Sequence, residues 1–419
     1  MKYFEFIRHV YLKRMVLTIL GVLFMMAFAF IAFICTSSLV SVVRGYQGLA
    51  ALRSEEVYAG NNQSDPEKLN QAYQNDPEKL AKNTAAIMAS LEKTGDYVLH
   101  WRYTTTQKFP NAKGTESLTA ELMFANQHFF KFYPLTVVQG EPLDNAVFQQ
   151  TGSKIPVLVG ANLAAALPLG HTFKLTDPGL GRSESYYVRG ILQANQGIQS
   201  MYMLDSEDLL NNTIVRPLRQ RDLATLSPDQ LSAGLQDLLV FGKATKQLPA
   251  ISRQINRDQI FKVKFYSVEA NINEFLTFYR QQDPLVIIAL VILLGTAGFL
   301  VWNTIKTIRD SQKEITLRLA LGLAPNDVFL ATFILEALAS VIALGPAVAA
   351  ARMLARFMQD PASSGGVQLA QTTLIRNDDL LALAIVALIL LVLALLLSVI
   401  ARRTVRQGTT RHGTTIEVN

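Results

Sequence analysis

Residues 15–43 read MVLTILGVLFMMAFAFIAFICTSSLVSVV, and no charged side chain interrupts them. Three further apolar stretches follow much later, at residues 285–301, 328–350 and 380–401, and the only charged residue within them is Glu336. Each stretch can cross, or nearly cross, a hydrocarbon core of about 30 Å as a helix. Because lipid offers no partner to an open backbone amide, we expect four transmembrane α-helices.

A polar block, residues 44–283, separates the first apolar stretch from the other three. It is long enough to bury a core of its own. Residues 54–93 read as helix, with Asp-Pro pairs at 65–66 and 76–77 as start signals. Further on, short runs rich in strand-forming residues alternate with helical segments. The pattern predicts a mixed α/β domain between the first and second transmembrane helices.

Basic residues predict the orientation of the chain in the membrane. They are in excess in residues 1–14, 305–327 and 402–419, whereas acidic residues offset them in 358–379. Since basic excess stays on the cytoplasmic side, we expect both termini and the 305–327 loop to be cytoplasmic. The large α/β domain is then extracytoplasmic. Residues 1–14 mix aromatic and basic side chains, so they form either an amphipathic helix along the inner surface or an inward extension of the first span.

The predicted segments are as follows: a cytoplasmic N-terminal segment, 1–14; transmembrane helix 1, 15–43; the extracytoplasmic core domain, 44–283; transmembrane helix 2, 284–304; a cytoplasmic stalk and coupling loop, 305–327; transmembrane helix 3, 328–357; a short periplasmic loop, 358–379; transmembrane helix 4, 380–401; and a cytoplasmic tail, 402–419.

The sequence contains no recognisable motif for nucleotide binding, metal binding or catalysis. It contains no Gly-x-x-x-x-Gly-Lys-[Ser/Thr] phosphate loop and no Cys/His cluster with metal-ligand spacing. The five histidines are scattered, and the single cysteine, Cys35, lies in the first span. The net charge of +6 falls in short segments beside the spans, which does not suggest nucleic acid. We therefore predict no catalytic, metal-binding or cofactor-binding residues and no enzymatic activity in this chain.

The loop after the second span, residues 312–328, reads QKEITLRLALGLAPNDV. Ile305, Ile308, Ile315 and Leu319 share one helical face, so the second helix should run on past the membrane as a stiff rod. Gly322 should end that helix, and the Pro-Asn-Asp that follows should start the next one. The result would be a rigid helical element, followed by a tight turn, to which a soluble protein can bind.

This loop resembles the signature loop of MacB-like and FtsX-like ABC transporter permeases, of the type VII ABC superfamily. The residues that match the family pattern, with Lys313 in place of an arginine, are Lys313, Glu314, Ile315, Arg318, Ala320, Leu321 and Gly322. The aromatic segment 129–135 and the segments 157–164, 169–173 and 187–192 are similar to the periplasmic core domain of that family in order and spacing. The resemblance covers nearly the whole chain.

The resemblance implies a permease subunit in the bacterial inner (cytoplasmic) membrane, embedded in membrane lipid and without a fused ATPase. ATP would be bound by a separate ABC ATPase dimer that contacts the seven matched residues. A second permease copy or a related permease, and in some systems a periplasmic adaptor and an outer-membrane channel, would complete the assembly. Movements outside the membrane would drive export or extraction of a peptide, antibiotic, siderophore or lipoprotein.

Two alternatives stay open at this point. The chain could instead be a non-transporting signal relay that regulates a cell-envelope enzyme, as FtsX-like proteins do. Glu336, inside the third span, is either a buried polar contact within the helix bundle or part of a proton relay.

Overall fold

The computed structural model describes residues 2–110, 117–177, 181–201, 204, 207–281, 283–359 and 376–416. The chain divides into two compact units. The α/β unit is built on Val43–Phe278. The helical unit is built on Met1–Val42, Tyr279–Phe357 and the described residues from 376 onward.

The chain begins with two helices separated by a short break. Helix α1 spans Lys2–Val10, a 3-10 turn covers Leu12–Arg14, and helix α2 spans Met15–Gly48. A short helix, α3, follows at Ala50–Arg53. A break at residues 11–14 therefore separates α1 from α2, and the choice between a surface helix and an inward extension of the first span stays a prediction.

The strands of the α/β unit are β1 Val57–Asn62, β2 Tyr97–Val98, β3 His100–Pro110, β4 Ser117–Ala125, β5 Val137–Gly140, β6 Lys154–Val159, β7 Thr172–Thr176, β8 Ser183–Leu192, β9 Gly197–Gln199, β10 Glu207–Leu209, β11 Thr213–Pro217, β12 Leu239–Phe241 and β13 Val263–Ser267. Its helices are α4 Pro66–Asn75, α5 Pro77–Thr94, α6 Phe129–Phe132, α7 Asn145–Gln149, α8 Gln220–Leu223, α9 Pro228–Gly234, α10 Leu248–Asn256 and α11 Val268–Gln281.

Two larger sheets organise the described part of the α/β unit. One has the order β13-β1-β12-β2 and is antiparallel throughout. The other has the order β3-β4-β11-β6-β8-β5, with β7 also paired to β8, and its β4–β11 and β6–β8 pairs are parallel. Strands β9 and β10 form a small antiparallel pair. A continuous apolar core that includes Leu80, Leu122, Val157 and Leu238 joins the helices and sheets, which confirms a mixed α/β domain.

The two Asp-Pro signals are confirmed as helix starts. The carboxylate of Asp65 accepts a hydrogen bond from the backbone N–H of Glu67, and that of Asp76 accepts one from Lys79. However, the prediction of helix from residue 54 is wrong for Val57–Asn62, which forms β1. Here tertiary pairing decides, because β1 lies between β12 and β13 and bonds to both.

Three long helices complete the helical unit: α12 at Asp283–Asp310, α14 at Pro325–Gln359 and α15 at Asn377–Ile416, with the shorter α13 at Gln312–Ala320 between the first two. Among the described residues, four helical segments are long and apolar enough to cross a membrane: Phe4–Gly48, Val286–Asp310, Pro325–Met353 and Asn377–Gln407. Their order confirms four spans with the α/β domain between the first and second. Residues 360–375, most of the predicted loop at 358–379, lie outside the described residues.

Small residues line the packed interior of the helical unit. Ala339, Ala343, Ala347 and Ala351 of α14 are buried at a spacing of four, so they form one face of the helix. Inside a bilayer the hydrophobic effect does not drive helices together, because lipid tails are as apolar as the side chains. Short side chains let the helix backbones approach closely and gain van der Waals contacts instead. Close packing of this kind holds the apolar part of the bundle together.

Candidate functional site

Helix α13 is anchored to the helical unit by one deeply buried side chain. Ile315 is only 2% exposed and packs in a cluster with Phe6 and Val10 of α1, Val328 of α14 and Val405 of α15. Removing such a side chain from a packed cluster costs about 2–5 kcal/mol. Ile315 therefore fixes which face of α13 turns away from the bundle.

The opposite face of α13 presents apolar and charged side chains together. Leu317 is 60% exposed and Leu321 is 80% exposed, and Lys313 is exposed beside them at the same four-residue spacing. Glu314 and Arg318 form a salt bridge of 3.2 Å one turn apart. We call the face formed by Lys313, Glu314, Leu317, Arg318 and Leu321 the α13 face.

Leu317 was not among the predicted site residues. The sequence places Leu317 four residues before Leu321 and on the side of the predicted helix opposite Ile315, but which of the two sides is buried follows only from the packed bundle. Ala320 and Gly322, which were predicted, are exposed at the end of the same helix. Of the seven predicted residues, four are exposed (Lys313, Ala320, Leu321 and Gly322), Glu314 and Arg318 are half-buried, and Ile315 is buried.

Two breaks define α13. Gly322 ends it with a φ of +94°, a conformation that favours glycine, and a Cβ there would meet nothing within 4 Å. Asp327 then accepts a hydrogen bond of 2.8 Å from the backbone N–H of Ala324 at the start of α14. At the other end the predicted stiff rod is interrupted, since α12 ends at Asp310 and Ser311 has φ −100° and ψ 10°.

Arg14 holds this second break. Its guanidinium donates to the carboxylate of Asp310 at 2.9 Å, to the backbone carbonyl of Asp310 at 2.5 Å and to the hydroxyl of Ser311 at 3.2 Å. A cation at the end of a helix satisfies carbonyls that have no partner within the helix. In the sequence Arg14 is only one of the basic residues that predict the orientation, and no pattern there indicates this contact.

Glu336 lies in α14, one turn beyond Thr332. The hydroxyl of Thr332 is 2.9 Å from that of Tyr11 in a buried contact, and Ser340 donates to the backbone carbonyl of Glu336 at 2.8 Å. Within the described residues no hydrogen bond or salt bridge reaches the carboxylate of Glu336 itself. Its predicted role as a polar contact or a proton relay stays a prediction.

A cleft of the α/β unit collects polar and aromatic side chains, among them His100, Arg102, Tyr133, Gln199 and Asp208. Burial, followed by repulsion from the Arg102 guanidinium, lowers the pKa of His100 from 6.5 to about 3. The imidazole is therefore neutral at physiological pH. Arg102 itself pairs with Asp208 at 2.9 Å.

Elsewhere in the α/β unit, a buried charge cluster stabilises the end of β11. The side chain of Arg216 is 2% exposed and lies 2.8 Å from Glu184, with Asp177 and Asp222 each at 3.6 Å. Its guanidinium also lies 4.7 Å from the centre of the Phe124 ring. Buried charges need such partners because desolvation is costly. Among the residues that the structure describes, no group of three or more His, Cys, Asp or Glu side chains could hold a metal ion.

Comparison with known families covers both units. A family model described as the MacB-like periplasmic core domain matches residues 15–257, more than half of the chain. A second model, described as the FtsX-like permease C-terminal domain, matches residues 286–409 and so includes α13 and its flanking helices. No curated protein matches the chain significantly.

Solved structures similar to this chain include three from bacteria. The periplasmic region of MacB from Actinobacillus actinomycetemcomitans is 12% identical, with a TM-score of 0.31, and the match covers 53% of this chain and 92% of that chain. The extracellular domain of the noncanonic ABC-type transporter YknZ from Gram-positive bacteria is 12% identical, with a TM-score of 0.29 and coverage of 50% and 99%. A permease domain from Porphyromonas gingivalis is 9% identical, with a TM-score of 0.28 and coverage of 51% and 87%.

Proposed function

Because this chain belongs to the family of bacterial inner-membrane permeases that join a MacB-like periplasmic core domain to an FtsX-like C-terminal domain, we propose that it is a permease subunit driven by an ATPase on a separate chain. The observation that carries the proposal is the α13 face. It exposes two leucines beside a half-buried ion pair, on a helix that is itself anchored by Ile315.

The α13 face has the composition of a docking surface. Apolar side chains that a partner covers contribute binding energy through the surface they bury, and charged side chains around them give specificity. Leu317 and Leu321 would supply the first, and Lys313, Glu314 and Arg318 the second. We assign the partner as an ABC ATPase dimer that binds ATP, so that two permease chains, identical or related, are engaged at once.

Force applied to α13 would reach the membrane through α12. The 28 residues of α12 are about 42 Å long as a helix. Arg14 joins the end of α12 and the break at Ser311 to the start of α2. Because α2 and α12 are the two helices that connect by sequence to the α/β domain, a displacement at α13 would be passed to both attachments of that domain.

The spans favour work outside the membrane over a path through it. Apart from Glu336, the apolar stretches at 15–43, 285–301, 328–350 and 380–401 contain no charged side chain. A polar substrate of peptide size would need polar groups along its route. We infer that the α/β domain, on the periplasmic side, moves a peptide, antibiotic, siderophore or lipoprotein, with an adaptor and an outer-membrane channel as further partners in an envelope with two membranes.

A site-specific photocrosslinker tests the docking. It would replace Thr316, which is exposed on α13, and in a control variant Lys264, which is exposed on β13 of the α/β unit. The full-length chain would be illuminated in cells that also produce a candidate ABC ATPase. We expect an adduct with the ATPase from position 316 and none from position 264. An ATPase that co-purifies with the chain but forms no adduct at 316 would contradict docking at α13.

Measurements of substrate export in the same cells distinguish a transporter from a signal relay. If the chain is a permease, a variant that loses ATPase docking also loses export of its substrate. An unchanged export profile together with a lost response of a cell-envelope enzyme would favour the relay.

A further inference from the structure

One face of α12 carries exposed cations next to an exposed tryptophan. Lys306 and Arg309 are exposed, and neither forms a salt bridge within the described residues. The ammonium of Lys306 lies 4.9 Å from the centre of the Trp302 ring, which is itself 49% exposed. We propose that this face binds an anionic phospholipid, with its phosphate at Lys306 and Arg309 and an acyl chain along the helix.

The three side chains lie on one stripe of α12. Steps of four and three residues, from Trp302 to Lys306 to Arg309, return to the same side of an α-helix. The opposite side of α12, which includes Leu300, Thr304 and Ile308, is buried in the helical unit. The stripe therefore faces away from the packed bundle, where lipid is the available neighbour.

Two glycines continue the stripe along α12, away from Lys306. Gly295 and Gly298 lie on the same side, both are exposed, and a Cβ on either would meet nothing within 4 Å. Gly295 lies about 16 Å along the axis from Lys306. That distance matches one half of a hydrocarbon core of about 30 Å. An acyl chain whose headgroup is at Lys306 would end near Gly295.

Aromatic contacts hold the tryptophan in place between headgroup and chain. Phe299 stacks on Phe24 of α2 with ring centres 3.9 Å apart, and Trp302 lies 5.5 Å from Phe299. A ring at this boundary has a polar edge toward the headgroups and an apolar body toward the chains. Lys306 above the ring places a donor and a charge at phosphate depth.

Charge complementarity distinguishes an anionic lipid from a neutral one. Nearby, Asp310 already pairs with Arg14, so it does not neutralise Lys306 or Arg309. A zwitterionic headgroup carries a cation of its own and gains less from two unpaired cations than an anionic headgroup does. Each basic residue near the surface should enrich an anionic lipid about fivefold.

Quenching of Trp302 by brominated lipids tests the proposal. Full-length protein would be reconstituted in nanodiscs with equal mole fractions of brominated phosphatidylglycerol or brominated phosphatidylcholine. The chain has two tryptophans, so emission of Trp302→Phe is subtracted from that of the wild type to isolate Trp302. We expect phosphatidylglycerol to quench Trp302 as though it were enriched about 25-fold, about fivefold for each of the two cations. In the double variant Lys306→Gln with Arg309→Gln, both lipids should quench Trp302 equally.

Lys13→Gln is the matched control, since it removes one exposed cation outside α12 and should leave the preference intact. If the double variant does not fold, Lys306→Gln alone should lower the enrichment about fivefold. Equal quenching of the wild type by the two lipids would overturn the site. If Lys13→Gln lost the preference for phosphatidylglycerol as fully as the double variant does, the lipid would be attracted by the basic residues in general and not by a site on α12, which would also overturn the proposal. No quenching by either lipid would show that another protein chain covers this face.

Discussion

Replacement of both exposed leucines of α13 should uncouple the ATPase without unfolding the permease. The change is Leu317→Ser together with Leu321→Ser. In the free chain these side chains are 60% and 80% exposed, so their loss removes little packing. Surface substitutions of this kind usually change the free energy of unfolding by less than about 0.5 kcal/mol.

The expected loss of binding follows from the same exposed fractions. Complete burial of a leucine side chain contributes about 1.5–3 kcal/mol. A partner that covers the exposed parts of both leucines would therefore gain about 2–4 kcal/mol from them. Loss of that contribution should raise the Kd of the ATPase for the permease roughly 30- to 900-fold.

The assay is binding of the purified ATPase to the full-length chain in nanodiscs, with transport measured in cells in parallel. Leu12→Ser is the control, because Leu12 is 46% exposed and lies outside α13. It should leave the Kd within about twofold. A double variant of α13 that folds and binds the ATPase with the Kd of the wild type would refute α13 as the coupling element.

Three further expectations can be measured on the full-length chain. Exchange of charges, Glu314→Arg with Arg318→Glu, keeps the 3.2 Å pair but inverts the surface offered to a partner, so ATPase binding should weaken about tenfold while thermal stability is kept. The pKa of His100 is lowered from 6.5 to about 3 in the folded protein. As the pH drops from about 6.5 toward 3, the unfolded state therefore takes up a proton that the folded state does not, and the free energy of unfolding falls. Chemical denaturation should show that, between pH 6.5 and 5, the free energy of unfolding falls by about 1–2 kcal/mol more for the wild type than for His100→Gln. In a cysteine-free background, an impermeant thiol reagent should label Ser153→Cys from outside the inner membrane but Thr316→Cys only after that membrane is permeabilised, and the reverse pattern would contradict the orientation inferred from charge.

Local signals in the sequence were sufficient for much of the fold. The uncharged stretch at 15–43 and its three counterparts locate the long helices, because hydrophobic length is a property of a segment alone. The Asp65 and Asp76 caps also act within one turn, and both helices begin where they were predicted. Local signals do not predict the break at Ser311. Ser311 is buried and accepts a hydrogen bond from Arg14, and the residues next to it in the sequence do not indicate that contact.

What the sequence could not show depends on residues that are far apart along the chain. Strand β1 is a strand because Ala59 pairs with Leu239 and Tyr266. The break between α12 and α13 is held by Arg14, which lies 297 residues before Ser311. Likewise, the candidate site was located by family resemblance to the loop, but the burial of Ile315 and the exposure of Leu317 required the packed bundle.

Transmission of movement from α13 to the α/β domain is the central claim, and a distance measurement between paired domains tests it most directly. A nitroxide at Ser153→Cys, in a cysteine-free background, would report the separation of two α/β domains in nanodiscs with the ATPase bound. The account predicts a distance distribution that shifts when ATP binds and returns after hydrolysis, and that stays fixed in Leu317→Ser with Leu321→Ser. ATP turnover by a fully assembled complex with no change in that distribution would contradict it.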